Sequence, residues 1–123
     1  MLGHLLAVIS GAAIGATLRW LAGVWLTPLT ATAAWGFIPL GTLVANWLGA
    51  YCIGVAYALN HASSLFFTIG LLGSLTTLSS IALDANLLMQ QQRYGHAAIG
   101  LLVQTIGAVM ATWLGLLTTQ SLR

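Results

Sequence analysis

The chain has almost no charge. Only 3% of its 123 residues are Asp, Glu, Lys or Arg, whereas a soluble domain has about 25%. The residues with a fixed charge are Arg19, Asp84, Arg93 and Arg123. Because 59% of the residues are apolar, this sequence cannot make a water-soluble surface, and we predict a membrane protein.

Several kinds of functional site are missing as well. The sequence has no pair of carboxylates, no nucleophile beside a base, no Cys and His spacing typical of a metal site and no phosphate-binding loop. Three arginines are too few for a nucleic-acid surface. The one cysteine, Cys52, lies among apolar residues and acts most simply as a small apolar side chain. We predict neither an enzyme nor a nucleic-acid-binding protein.

Four apolar stretches account for most of the chain. In lipid the backbone must satisfy its own hydrogen bonds, which leaves helices or a closed barrel, and the stretches lack the alternation of barrel strands. A spanning helix needs about 20 residues, and the stretches run from about 4 to 26, 37 to 59, 64 to 90 and 96 to 119. We predict an all-α membrane protein with a single transmembrane domain over residues 1–123.

The third stretch contains a run that disfavours a continuous helix. From Gly70 to Ser80 it has two glycines followed by five hydroxyl residues, Ser74, Thr76, Thr77, Ser79 and Ser80. Glycine weakens a helix interior, and Ser and Thr compete for backbone hydrogen bonds. We predict a broken helix, whose free carbonyls suit a cation and whose free N–H groups and hydroxyls suit an anion. The alternative is an unbroken helix with hydroxyls bonded to i−4 carbonyls.

Two ionisable residues lie inside predicted spans at matching depth, Arg19 and Asp84. Such residues are costly in a bilayer and usually functional. One interpretation is a structural ion pair between the first and third helices. The other is that Arg19 attracts an anion to a vestibule.

Other polar and small residues predict helix contacts. Asn46 must find a hydrogen-bond partner, and Gln104 and Thr112 share one face of the fourth helix, where a polar stripe could line a narrow path. Small residues permit close helix packing. The glycines concerned are Gly11, Gly15, Gly49, Gly54, Gly107 and Gly115.

The charges give little preference for one orientation in the membrane. Arg93 and Arg19 lie toward one face, and Arg123 lies with the amino terminus on the other. Orientation follows the excess of Lys and Arg in cytoplasmic loops. We therefore expect both orientations, with two opposite copies forming an antiparallel dimer.

Three ordered segments resemble the CrcB/Fluc fluoride channel family. They read Gly11-xxx-Gly15-xxx-Arg19-Trp20, Pro39-Leu40-Gly41-Thr42-Leu43-xx-Asn46 and Gly70-xx-Gly73-x-Leu75-Thr76-Thr77-x-Ser79. The resemblance implies a passive, fluoride-selective channel in a multi-pass cell membrane location, such as a bacterial inner membrane. It also implies a broken third helix and an antiparallel homodimer.

The resemblance also implies roles for individual residues. Backbone carbonyls at Gly73 and Thr76 of both subunits would hold a structural sodium ion, and the ion path would run beside Asn46, Thr77, Ser79 and Thr112. The family's two pore phenylalanines fall on Leu78 and Ile81, so both aromatic rings are lost.

The lost rings leave two further hypotheses open. The chain could be a non-conducting or altered-selectivity subunit of a heterodimeric channel with a related partner. A small multidrug-type exporter is a third hypothesis, but its proton coupling needs a carboxylate that the first helix lacks.

Overall fold

The fold consists of helices that pack against one another in pairs. The computed structural model describes residues 1–59 and 64–121, so Arg123, which entered the charge comparison above, lies outside the described residues. The elements are α1 (Leu2–Thr30), α2 (Leu40–Ala58), a π-helix (Leu65–Leu72), α3 (Gly73–Leu75), α4 (Leu78–Gln90) and α5 (Tyr94–Gln120).

Four segments are long and apolar enough to cross a membrane: Leu2–Thr30, Leu40–Ala58, Leu65–Gln90 and Tyr94–Gln120. No strand occurs in the part of the chain that is described. These findings confirm the predicted all-α class with four spanning segments. The first helix continues to Thr30, beyond its predicted end near 26.

The third segment is broken, as predicted. Helix α3 ends at Leu75, and the backbone is extended at Thr76 (φ −84°, ψ 150°) and Thr77 (φ −149°, ψ 118°) before α4 begins at Leu78. The Thr77 hydroxyl accepts a hydrogen bond from the Ser80 N–H at 3.2 Å and so caps α4. The alternative of an unbroken helix is wrong.

Glycines bring α1 close to the π-helix, a close packing of the kind predicted for Gly11 and Gly15. A Cβ atom on Gly11 would overlap the carbonyl oxygen of Phe66, and one on Gly15 would overlap the carbonyl oxygen of Leu71. Because only glycine leaves this room, the two backbones meet directly. The first half of the broken segment is held against α1.

Glycines also join α2 to α5. A Cβ atom on Gly54 would overlap the carbonyl oxygen of Thr112, and one on Gly115 would overlap that of Tyr51. In the same pair of helices, the hydroxyls of Tyr51 and Thr118 lie 3.1 Å apart. Helices α2 and α5 therefore form a second close pair, and the break in the third segment lies against α2.

The outer surface is apolar. Leu2 and Val109 are each 70% exposed, and many other large apolar side chains face outward. Such a surface is suited to lipid rather than water. The few buried polar side chains, among them Asn46 and Gln104, therefore have particular structural weight.

The close contact at Gly15 can be tested by adding one methyl group. We expect Gly15→Ala to lower the thermal stability of the purified protein, because the added carbon overlaps backbone that cannot move freely. Overpacking of this kind costs about 1–3 kcal/mol. Gly23→Ala is the matched control in the same helix, since nothing lies within 4 Å of its added carbon. Equal unfolding temperatures for the two variants would contradict the packing described.

Candidate functional site

The break in the third segment is paired with a side chain of α2. The N–H of Thr77 donates to Oδ1 of Asn46 at 2.7 Å, and Nδ2 of Asn46 donates to the Thr77 carbonyl at 3.3 Å. Asn46 is only 5% exposed. Its carboxamide therefore replaces the acceptor that the Thr77 N–H loses when the helix ends, and it also donates to the Thr77 carbonyl.

A second buried amide joins this pairing from α5. Nδ2 of Asn46 also donates to Oε1 of Gln104 at 3.4 Å, and Gln104 is 3% exposed. Thr112, expected on the same polar stripe, instead donates its hydroxyl to the Ala108 carbonyl at 3.1 Å. The stripe therefore reaches the break only through Gln104.

Hydroxyl groups collect where α4 begins. The Thr77 hydroxyl lies 3.0 Å from that of Ser79 and 3.2 Å from that of Ser80. Ser79 is exposed, and the other two side chains are half-buried. The structure thus brings together Thr77 and Ser79, which were both expected beside the ion path, and adds Ser80.

The break frees two particular carbonyl groups. In a continuous helix the Thr77 N–H would bond to the Gly73 carbonyl, and the Ser80 N–H would bond to the Thr76 carbonyl. Here the first N–H donates to Asn46 and the second donates to the Thr77 hydroxyl. Gly73 and Thr76 are the residues expected to hold sodium, and both have lost the helical partners of their carbonyls.

No cluster of acidic or other ligating side chains could hold a metal ion here. In residues 1–59 and 64–121, no three His, Cys, Asp or Glu side chains come together in a way that could bind one. The oxygen atoms at the break that suit a hard cation are backbone carbonyls, hydroxyls and amide oxygens.

Arg19 contacts the break, but not through Asp84. Its Nε donates to the Ser74 carbonyl at 3.0 Å, and no ion pair joins it to Asp84 in the described chain. The carbonyl end of a helix carries partial negative charge, so the end of α3 attracts the guanidinium. The predicted Arg19–Asp84 pair is not formed within this chain.

Asp84 lines a separate small cavity of about 20 Å³, whose lining includes Phe37, Ile81 and Gln104. Phe37 lies in the loop between α1 and α2, and its ring packs edge to face on His96 with 4.5 Å between ring centroids. The matching depth of Arg19 and Asp84 in the sequence therefore did not imply that the two side chains face each other.

Two open grooves flank the break. One, of about 370 Å³, is lined by Asn46, Thr77, Leu78, Ile81 and Gln104 among others. Leu78 is 73% exposed, whereas Ile81 is only 8% exposed. Leu78 and Ile81, where the family resemblance led us to expect phenylalanine, thus share this groove, but only Leu78 projects outward.

The other groove, of about 400 Å³, is more polar. Its lining includes Arg19, Thr42, Thr77 and Ser80. A cationic side chain and several hydroxyls therefore face the same open space, an arrangement that attracts anions. Thr112 belongs to the lining of neither groove.

Two residues, Ser74 and Gln104, make contacts at the break that the sequence did not specify, although both had been noted as polar residues in spanning segments. The Ser74 hydroxyl donates to the Gly70 carbonyl at 2.7 Å, and the Ser74 carbonyl accepts a hydrogen bond from Arg19. Gln104 completes the pairing of Asn46. A buried amide in an otherwise apolar helix is a signal for such a role, because it must find a partner.

Comparison with known proteins gives a consistent result. A family model described as "CrcB-like protein, Camphor Resistance (CrcB)" matches residues 6–116. A protein of Marinobacter nauticus named fluoride-specific ion channel FluC is 41% identical, over 96% of this chain and 95% of its own length. Proteins of the same name from Chromohalobacter salexigens (40%, 97% and 92%) and Neisseria meningitidis serogroup A (39%, 94% and 94%) are similar.

The pairing of Asn46 with the break can be tested by removing its amide. Asn46→Leu leaves the part-buried N–H of Thr77 without its acceptor, which costs about 1–3 kcal/mol. We expect a clear fall in the temperature of unfolding. Asn86→Leu is the control, because exposed Asn86 bonds only to the Ala82 carbonyl of its own helix, at 2.9 Å. A comparable fall in both variants would argue against a special role for Asn46.

Proposed function

This chain belongs to the CrcB family, and on that premise we propose that it is a passive channel that exports fluoride across the cell membrane. The relatives that match nearly the whole chain carry the name of fluoride-specific channels. The observation that carries the proposal is the break at Thr76 and Thr77, where peptide groups leave their helical partners inside a membrane-spanning segment. Irregular backbone at this depth is tolerated where it is buried in protein or lines an ion path.

The side chains around the break favour an anion. The hydroxyls of Thr77, Ser79 and Ser80 lie at the amino end of α4, where the helix dipole is positive. A small dehydrated anion needs donors of this kind to replace its water. We infer that the anion passes this cluster.

Arg19 supplies the positive charge for such a path. Its side chain is held at the Ser74 carbonyl and lines the polar groove with Thr42 and Ser80. A fixed cation in a low-dielectric wall raises the local concentration of anions. This supports the vestibule role of Arg19 over that of an ion-pair partner for Asp84.

We also propose a structural sodium ion at the carbonyls of Gly73 and Thr76 from two copies of the chain. The proposal is supported by the diversion of the N–H groups of Thr77 and Ser80, which leaves both carbonyls without helical partners. Sodium bound there would offset the partial negative charge of the facing carbonyls and hold the two breaks together.

The proposed assembly is an antiparallel homodimer in lipid, with the bacterial inner membrane as the proposed location. Support comes from the similar charge of the two faces and from the exposed Leu78 beside the break. An apolar side chain that is 73% exposed next to hydroxyl groups suits a contact with a second copy.

A heterodimer is the second candidate. It is favoured by the aliphatic side chains of Leu78 and Ile81 in the groove at the break. An aromatic edge carries positive quadrupole that an anion can use, and an aliphatic side chain has none. A related subunit with aromatic residues at these positions would then supply the conducting path.

Fluoride release from liposomes tests the proposed transport. Purified protein in vesicles loaded with potassium fluoride should release fluoride down its gradient once valinomycin carries the potassium. Empty vesicles and vesicles loaded with potassium chloride are the controls. Absence of release from folded dimer would contradict a homodimeric channel, and release that needs a co-expressed related subunit would favour the heterodimer.

Restoring an aromatic ring tests the role of the groove. We expect Leu78→Phe, alone or with Ile81→Phe, to speed fluoride release about three- to ten-fold, the range that one aromatic contact provides. Leu83→Phe is the control, because Leu83 is 59% exposed and does not line the groove at the break. Unchanged release in the single and double variants would show that these positions lie off the ion path.

A further inference from the structure

The hydrogen bonds of Asn46 leave no N–H free for an ion. An amide nitrogen has two hydrogens. In the structure one is directed to the Thr77 carbonyl at 3.3 Å and the other to Oε1 of Gln104 at 3.4 Å. An anion that reaches Asn46 must therefore displace one of these two oxygen atoms.

The contact with Gln104 is the one that can be given up. Asn46 is anchored by its short bond from the Thr77 N–H, at 2.7 Å, and this anchor keeps Nδ2 beside the Thr77 carbonyl. The bond to Gln104 is the longest of the three. It also joins two side chains, so it can break without moving any backbone.

Gln104 has room to withdraw. Its side chain lines the open groove at the break, whose volume is about 370 Å³, as well as a much smaller cavity of about 20 Å³ beside Asp84. The groove is open to the outside and is lined by small side chains such as Ala50 and Ala108, so it has space for the end of a glutamine side chain. A modest change in side-chain rotamer therefore takes Oε1 away from Asn46.

We propose that Oε1 of Gln104 occupies, in the resting channel, the place at Asn46 Nδ2 that fluoride takes during transport. This inference rests on the proposed fluoride channel, and it adds that a side-chain oxygen competes with fluoride for the N–H of Asn46. The carbonyl oxygen is an internal substitute for the anion, which keeps the buried N–H satisfied when no ion is present. Gln104 thereby sets how much fluoride is needed to fill the site.

The test is the fluoride dependence of release from liposomes. We expect Gln104→Met, which has no acceptor of comparable strength, to lower the half-saturating fluoride concentration about two- to ten-fold, the effect of one neutral hydrogen bond. Gln104→Glu keeps an oxygen toward Asn46, so its half-saturating concentration should stay at or above that of the wild type. Gln90→Met, at the exposed end of α4, is the matched control and should change nothing.

Two results would overturn the competition. One is an unchanged half-saturating concentration in Gln104→Met. The other is an equal loss of release from the Met and Glu variants at every fluoride concentration, which would mean that the amide only holds α5 in place.

Fluoride-dependent thermal unfolding separates this inference from the proposed transport. If fluoride stabilises the wild type but is not released, transport fails. The competition then stands if Gln104→Met is stabilised at lower fluoride, and it is overturned if the variant needs the same concentration. If the wild-type protein neither releases fluoride from liposomes nor is stabilised by it, both proposals are overturned.

Discussion

The structure depends on one pair of hydrogen bonds, those between the carboxamide of Asn46 and the peptide groups of Thr77. In a bilayer no water is available to satisfy a broken helix, and each unpaired peptide group costs several kcal/mol. The Asn46 carboxamide replaces the acceptor that the Thr77 N–H has lost, and it binds the Thr77 carbonyl as well. Asparagine at position 46 is therefore what allows the third segment to stop and restart within the membrane.

This pairing determines which other groups become available. Because the Thr77 and Ser80 N–H groups bond to side chains, the carbonyls of Gly73 and Thr76 are released from the helix. The Ser74 carbonyl, at the end of α3, is covered by Arg19. The same break thus provides oxygen atoms that suit a cation, and beyond it the hydroxyls of α4 that suit an anion. Close packing at Gly11 and Gly15 holds the first half of the segment so that both sets stay in place.

Much of this architecture could be predicted from the sequence. The lack of charge predicted a membrane protein, and the run from Gly70 to Ser80 predicted the break, because its residues favour other backbone states over a helix. The glycine contacts also followed from spacing. These features are local, so a single chain segment contains the information that specifies them.

The partners of polar residues were harder to predict. Arg19 and Asp84 lie at similar depth, but depth says nothing about the direction of a side chain around the helix axis. The π-helix Leu65–Leu72 has a wider turn than an α-helix and changes that direction for everything after it. The break at Thr76 changes it again. The contact of Gln104 with Asn46 depends in turn on how α2 and α5 pack, which is set by Gly54 and Gly115.

The most direct test of the central claim is solid-state NMR on the protein in lipid bilayers, with threonine labelled in the backbone. The ¹³C shifts of Thr76 and Thr77 should be those of extended backbone, with a through-space correlation between the Thr77 amide and the Asn46 side chain. Helical shifts at both threonines would mean that the third segment is continuous in the membrane, and would contradict the account.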